Sequence, residues 1–208
     1  MGGLTMVAVE PVEPIIEERS GIDPEDDRLW ETWEHLKLPP GSRAEILRGA
    51  IVVSPSPMNL HNLLFALLVE QLVPKAKKLG WAITNTESIR LHSTGEAVIP
   101  DLVAAPKKAL YSGKEWLLNA DEVELVVEIT SASTRDRDLT WKLESYGKAQ
   151  IPIYVIVDRL DGDGTVTVYH EPDGDGKYKL HQTVGFGTKL WLPEPFDIEI
   201  DTSEFTEE

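Results

Sequence analysis

The chain has 208 residues, of which 41% are apolar and 27% charged, with no cysteine and a formal net charge of -16. These values exclude a disulfide framework and a thiolate metal site, and they argue against broad adhesion to DNA through a basic surface. No apolar run approaches the ~18 residues that span a bilayer and no basic-then-apolar leader opens the chain, so a soluble, cytoplasmic protein is expected.

Residues 1–24 are rich in proline and glutamate and read as a flexible acidic tail, followed by one domain over residues 25–200 and a second acidic tail over residues 201–208. "DPEDDRLWETWEHLKLPPG" predicts a short helix capped by Asp23 or Asp27, carrying Leu29, Trp30 and Trp33 and stopped by Pro39, Pro40 and Gly41. "AEILRGAIVVSPSP" reads as a strand or hairpin arm closed by two prolines. Leu60, Leu63, Leu64, Leu67, Leu68 and Leu72 recur at helical spacing, and Gly80 suits the stop of that helix. Strands are expected over 81–91 and 98–104, then a loop or irregular helix over 107–120. A strand centred on 123–129, a helix from "DRDLTWKLESYGKAQ" and the apolar strand "IPIYVIVDRL" make a βαβ crossover in a mixed sheet. "EPDGDGK" joins the arms of a later hairpin.

Four polar residues sit where this pattern predicts burial or a strand end: Glu45, Asp101, Glu128 and Lys142. An ionised carboxylate inside an apolar strand costs several kcal/mol, as a rough figure, unless something pairs with it. Asp101 in "VIPDLV" and Glu128 in "ELVVEIT" both pose that problem, and two carboxylates on neighbouring strands would repel. A shared divalent cation resolves the conflict; solvent exposure or a local cation for each resolves it too. Asp138, Lys142 and Tyr146 lie four apart on one helix face, which fits either a surface Asp138–Lys142 ion pair or a lysine turned back over the end of the Glu128 strand.

"IPD" followed by "VELVVEITSASTRDRDLTWKLESYGKAQIPIYVIVD" resembles the Uma-type family of restriction-endonuclease-like bacterial proteins, part of the PD-(D/E)xK superfamily, over roughly residues 40–190. The resemblance implies an α+β fold, a mixed β-sheet core flanked by helices with extra β-hairpins. It implies that Pro100–Asp101 is the "PD" element, that Asp101 and Glu128 are metal ligands, and that the Ile129 carbonyl is a further metal contact. The usual strand lysine is absent, since Thr130 holds its place, and Lys142 matches members in which it has moved to the next helix. Glu45 matches a recurrent family glutamate before the first strand, which either lies near the metal site or is a helix-end or strand-edge acid, and His61 a family histidine that either touches substrate or is structural. Asp158 reads as a strand-end cap and Tyr146 as a packing or hydrogen-bonding neighbour of Lys142. The chain departs from the family's Leu-Ser-Pro-Ser at Thr130-Ser131-Ala132-Ser133, which removes no ligand.

The expected activity is Mg²⁺- or Mn²⁺-dependent hydrolysis of DNA phosphodiester bonds, with Asp101, Glu128, Lys142 and Glu45 as catalytic residues. Two other readings stand beside it: a non-catalytic binding or regulatory module on the same fold, and a metal-dependent phosphohydrolase of small nucleotides. A homodimer is the default expectation for the family.

Overall fold

A computed structural model describes residues 27–112 and 116–206; the expected N-terminal tail and the candidate cap Asp23 lie outside the described residues. Helix α1 (Asp27–Glu34) places Trp30 and Trp33 against Ala44 and Ile46, and the Trp33 indole N–H donates to the Ala44 carbonyl at 2.8 Å. Strands β1 (Arg43–Leu47) and β2 (Ala50–Ser54) form the expected hairpin. Its two-residue turn holds Arg48 and Gly49 at positive φ, the geometry that matches strand twist. Helix α2 (Asn59–Leu79) ends at Gly80 in the left-handed conformation, as the sequence predicts.

The next two expected strands each break in two. β3 (Trp81–Thr84) and β4 (Ser88–Leu91) belong to different sheets, and so do β5 (Glu96–Val98) and β6 (Leu102–Pro106). Polar turn residues divide the first run, where Thr86 takes φ 57°. Pro100 divides the second, because it has no N–H to give a ladder. Helix α3 (Lys107–Ser112) and β7 (Leu117–Asn119) occupy the stretch expected to be irregular.

Strands β8 (Leu125–Ile129) and β9 (Ile153–Asp158) pair in parallel, and the chain between them is helical, a π-type turn over Arg137–Lys142 leading into α4 (Leu143–Lys148). That is the expected βαβ unit. The hairpin β10 (Thr165–Pro172) and β11 (Tyr178–Gly185) extends the sheet, and β12 (Lys189–Leu192) pairs with β13 (Ile198–Asp201).

Two larger sheets result, in the orders β2-β1-β5-β4-β7 and β11-β10-β9-β8-β6-β3. Residues alternate between faces along a strand, so β8 feeds two cores. Leu125, Val127 and Ile129 pack under Leu64, Leu68 and Leu72 of α2, while Val126 joins Tyr146, Tyr154 and Leu47 on the opposite side. The described part of the segment expected as a C-terminal tail is packed: Asp201 pairs with Lys189 in β12–β13, and Thr202 and Phe205 are buried. Phe205 lies edge-on to Phe186, and that apolar contact outweighs the acidic composition around it.

Candidate active site

The polar centre lies where the chain crosses from one sheet to the other. β5 ends at Val98 and β6 begins at Leu102, so Ile99 to Asp101 lie outside both strands. The Ile99 N–H donates to Glu45 Oε1 at 2.8 Å, and the Ile129 N–H at the end of β8 donates to Asp101 Oδ2 at 2.8 Å. Each carboxylate therefore satisfies a backbone donor at a strand end, where an unpaired buried N–H would cost about 1–3 kcal/mol. The question of why a carboxylate sits in "VIPDLV" is answered locally: Asp101 stands in a break between strands and ties that break to β8.

Around Asp101 the partners are cationic or ionisable. Arg43 Nη2 donates to Oδ1 at 2.9 Å and His61 Nε2 lies 2.9 Å from Oδ2. Burial alone would raise the Asp101 pKa; the His61 hydrogen bond and the Arg43 charge outweigh it and hold the carboxyl down at about 2.

Around Glu128 the balance is reversed. Lys142 Nζ contacts Glu128 Oε1 at 2.9 Å and Glu45 Oε1 at 2.8 Å, with Asp138 Oδ1 at 3.9 Å, and the Tyr146 hydroxyl donates to Glu128 Oε1 at 2.7 Å. One ammonium serves three buried carboxylates. Burial, reinforced by Asp138, Asp101 and Glu45, pushes Glu128 up to about 8 against the pull of Lys142, and Asp138 rises to about 6 for the same leading reason. Burial would discharge the ammonium, but Glu128 and Glu45 hold it firmly charged.

Glu45, Asp101, Glu128, Ile129, Lys142 and His61 thus line one cleft of about 140 Å³. They come from β1, the β5–β6 break, β8, the π-type turn and the start of α2, elements far apart in sequence. Lys142 is not a surface residue: it and Asp138 are 3% and 2% exposed, because the π-type turn carries both inward. The Tyr154 hydroxyl fixes that turn by donating to the Asp138 carbonyl at 2.9 Å.

Asp158 stands apart from these contacts and clamps the end of β9, accepting from Thr130 Oγ1 and Arg135 Nε at 2.8 Å each and from the Leu160 N–H at 3.1 Å. Arg43 and Asp138 were not singled out as site residues in the sequence. Arg43 carried a usable signal, since it precedes Glu45 by two residues and so shares its strand face. Among the described residues, no three or more histidine, aspartate or glutamate side chains are arranged to hold a metal ion by themselves. No helix among them is long and apolar enough to cross a membrane.

No curated protein matches the chain. Among solved structures, the crystal structure of a protein from Anabaena variabilis described as a "putative nuclease belonging to DUF820" superposes with a TM-score of 0.67 at 15% identity, over 85% of this chain and 97% of that one. At that identity the likeness establishes the fold. The family profile Uma2, described as "Putative restriction endonuclease", matches residues 30–203, most of the chain and the whole of the cleft, so the chain belongs to that family.

Proposed function

We propose that the chain hydrolyses phosphodiester bonds of DNA with the help of Mg²⁺ or Mn²⁺. The observation that carries this reading is the convergence of Glu45, Asp101, Glu128 and Lys142 on one cleft, in a chain of a restriction-endonuclease-like family. Asp101, Glu128 and the Ile129 carbonyl offer hard oxygen donors. The cleft's four carboxylates, Glu45, Asp101, Glu128 and Asp138, face Lys142, Arg43 and Arg159, but Lys142 alone serves three of them, and a divalent cation would add positive charge to that part of the cleft. With few protein ligands available, such a cation would retain water or substrate oxygens in its shell, as Mg²⁺ commonly does. When bound, it supplies electrophilic stabilisation of the phosphate and a more acidic bound water.

The chain's own residues do the positioning. Arg43 and His61 fix the orientation of Asp101 and keep it ionised. Lys142, charged and immobilised between Glu45 and Glu128, places a positive group where negative charge develops on the phosphate. Tyr146 holds Glu128 in its rotamer.

The test is incubation of the purified protein with supercoiled and linear DNA under Mg²⁺ and under Mn²⁺, beside Asp101→Asn, Glu128→Gln and Lys142→Met. Cutting by the wild type that each substitution lowers by at least about 100-fold, the size typical of lost electrostatic catalysis, supports the reading. Equal behaviour of wild type and variants on every DNA form sinks it.

One observation favours a second reading, a non-catalytic binding module. Both Asp101 oxygens and the Lys142 ammonium already have partners within the protein, so the network is satisfied without an ion. DNA binding without cutting under either metal would select it.

A further inference from the structure

A second cavity of about 300 Å³ adjoins the cleft and shares Arg43, His61 and Asp101 with it. The cleft, at about 140 Å³, falls below the roughly 300–1,000 Å³ typical of small-molecule sites, whereas the adjoining cavity reaches that range. A phosphate fits the first; a base and its sugar need the second. We propose that this cavity receives one nucleotide of the substrate strand next to the scissile phosphate, with its base held by Phe65, Asn62 and Asn85. The proposal rests on the nuclease reading and names the part of the substrate that the same site recognises.

The lining chemistry supports that occupant. Phe65 offers an aromatic face for stacking, and the carboxamides of Asn62 and Asn85 each offer a donor and an acceptor, the pairing that reads base edges. Asp101 is the one carboxylate among the described lining residues; Arg43 offsets its charge, and His61 is hydrogen-bonded to it. In a chain of net charge -16, that leaves a wall compatible with an anionic strand.

Three further observations point the same way. Arg43 Nε and His61 Nδ1 are buried without a hydrogen-bond partner among the described residues, and both residues stand where the two cavities meet. Buried polar atoms are seldom left so; a phosphate oxygen entering between the cavities would accept from the Arg43 Nε–H, and from His61 Nδ1–H in the imidazolium form, since Nε2 already faces Asp101. The first turn of α2, which carries His61 and Asn62, contains no acid and has no side-chain cap, so its positive end is open to an anion. Thr86, in the cavity wall, holds φ 57°, a costly conformation for a β-branched residue of a kind that clusters at ligand-binding loops.

The experiment uses the full chain without metal, titrated by calorimetry with each of the four deoxynucleoside 5′-monophosphates, with deoxyribose 5-phosphate and with inorganic phosphate. The nucleotides should bind more tightly than either base-free probe. Phe65→Leu and Asn85→Ala should each weaken nucleotide binding by at least about fivefold, the lower end for a lost base contact, and leave phosphate binding unchanged. Asn85 is exposed, so its variant tests the idea without a folding defect, as an unchanged melting curve would verify. Nucleotides that bind no better than phosphate, or variants that bind them like the wild type, overturn the proposal. The nuclease reading stands or falls separately. DNA cutting without nucleotide binding removes this subsite and keeps the nuclease, while nucleotide binding that responds to both variants, with no cutting under Mg²⁺ or Mn²⁺, keeps the subsite and removes the nuclease.

Discussion

The two halves of the cleft treat the same functional group in opposite ways. Asp101 and Glu128 are both buried, 6% and 1% exposed, yet Asp101 is held at about 2 and Glu128 is pushed to about 8. Burial acts on both in the same direction. The difference comes from company: Asp101 has a guanidinium, an imidazole and a backbone N–H to itself, while Glu128 shares one ammonium with Glu45 and Asp138. One half keeps its negative charge down to low pH, while burial pushes the other toward its protonated form. Carboxylates separated in this way are how a site divides its acid and base work.

The change that breaks the comparison most severely is Lys142→Met. It leaves Glu45, Glu128 and Asp138 buried without their cation, and a loss of about 3–5 kcal/mol in unfolding free energy is expected from removing one partner of a buried pair. Urea denaturation measures it, and cutting activity should fall by at least about 100-fold under conditions where the variant remains folded.

Asp101→Asn probes the other half with little change of shape. A pKa lowered from 3.8 to about 2 corresponds to about 2 kcal/mol of stability at neutral pH. Because the folded value is the lower one, that stability is present above the unfolded pKa and is lost as pH falls through about 2. The wild type should therefore weaken between pH 4 and 2, and the asparagine variant should lack that dependence.

Glu128 gives the opposite slope. Its folded value lies above the unfolded 4.5, so the stability it contributes is fully present below pH 4.5 and is lost as pH rises through about 8. Metal-free protein should weaken over that window, and Glu128→Gln should flatten the curve. If Mg²⁺ occupies the cleft, saturating ion flattens the wild-type curve too and raises its midpoint, an effect that Asp101→Asn removes. A wild-type curve indifferent to Mg²⁺ would argue that the two halves do not meet at an ion.

The mildest change is Tyr146→Phe. It removes one hydroxyl donor from Glu128 and should cost about 1–2 kcal/mol, read by thermal or chemical unfolding, with a far smaller effect on activity than Lys142→Met.

Much of this centre was legible along the chain because it broke local rules. Asp101 and Glu128 are carboxylates in apolar runs and stood out against hydrophobic patterning, whereas Lys142, whose spacing alone also fits a surface pair, was marked by the family resemblance. Arg43 did not stand out, since a charged residue at a strand edge is ordinary. Asp138 was hidden for another reason: at i, i+4 from Lys142 it reads as half of a surface pair, and only the π-type turn, held by Tyr154, carries the pair inside. The strand predicted over 98–104 shows the same limit, because periodicity continues across Pro100 while the backbone changes sheets.

The sequence by itself determined the helix of α2 and its stop at Gly80, the βαβ unit, the later hairpin and the identity of the residues that burial would strain. Those follow from spacing, turn residues and polarity, which act over a few residues. Only the tertiary structure decided that Glu45 from β1, Asp101 from the strand break, Glu128 from β8 and Lys142 from the helical turn share one cleft, and which cation serves which carboxylate. Charge pairing depends on distances across the fold, and in a buried site those distances hold one carboxylate charged and push its neighbour toward the protonated form.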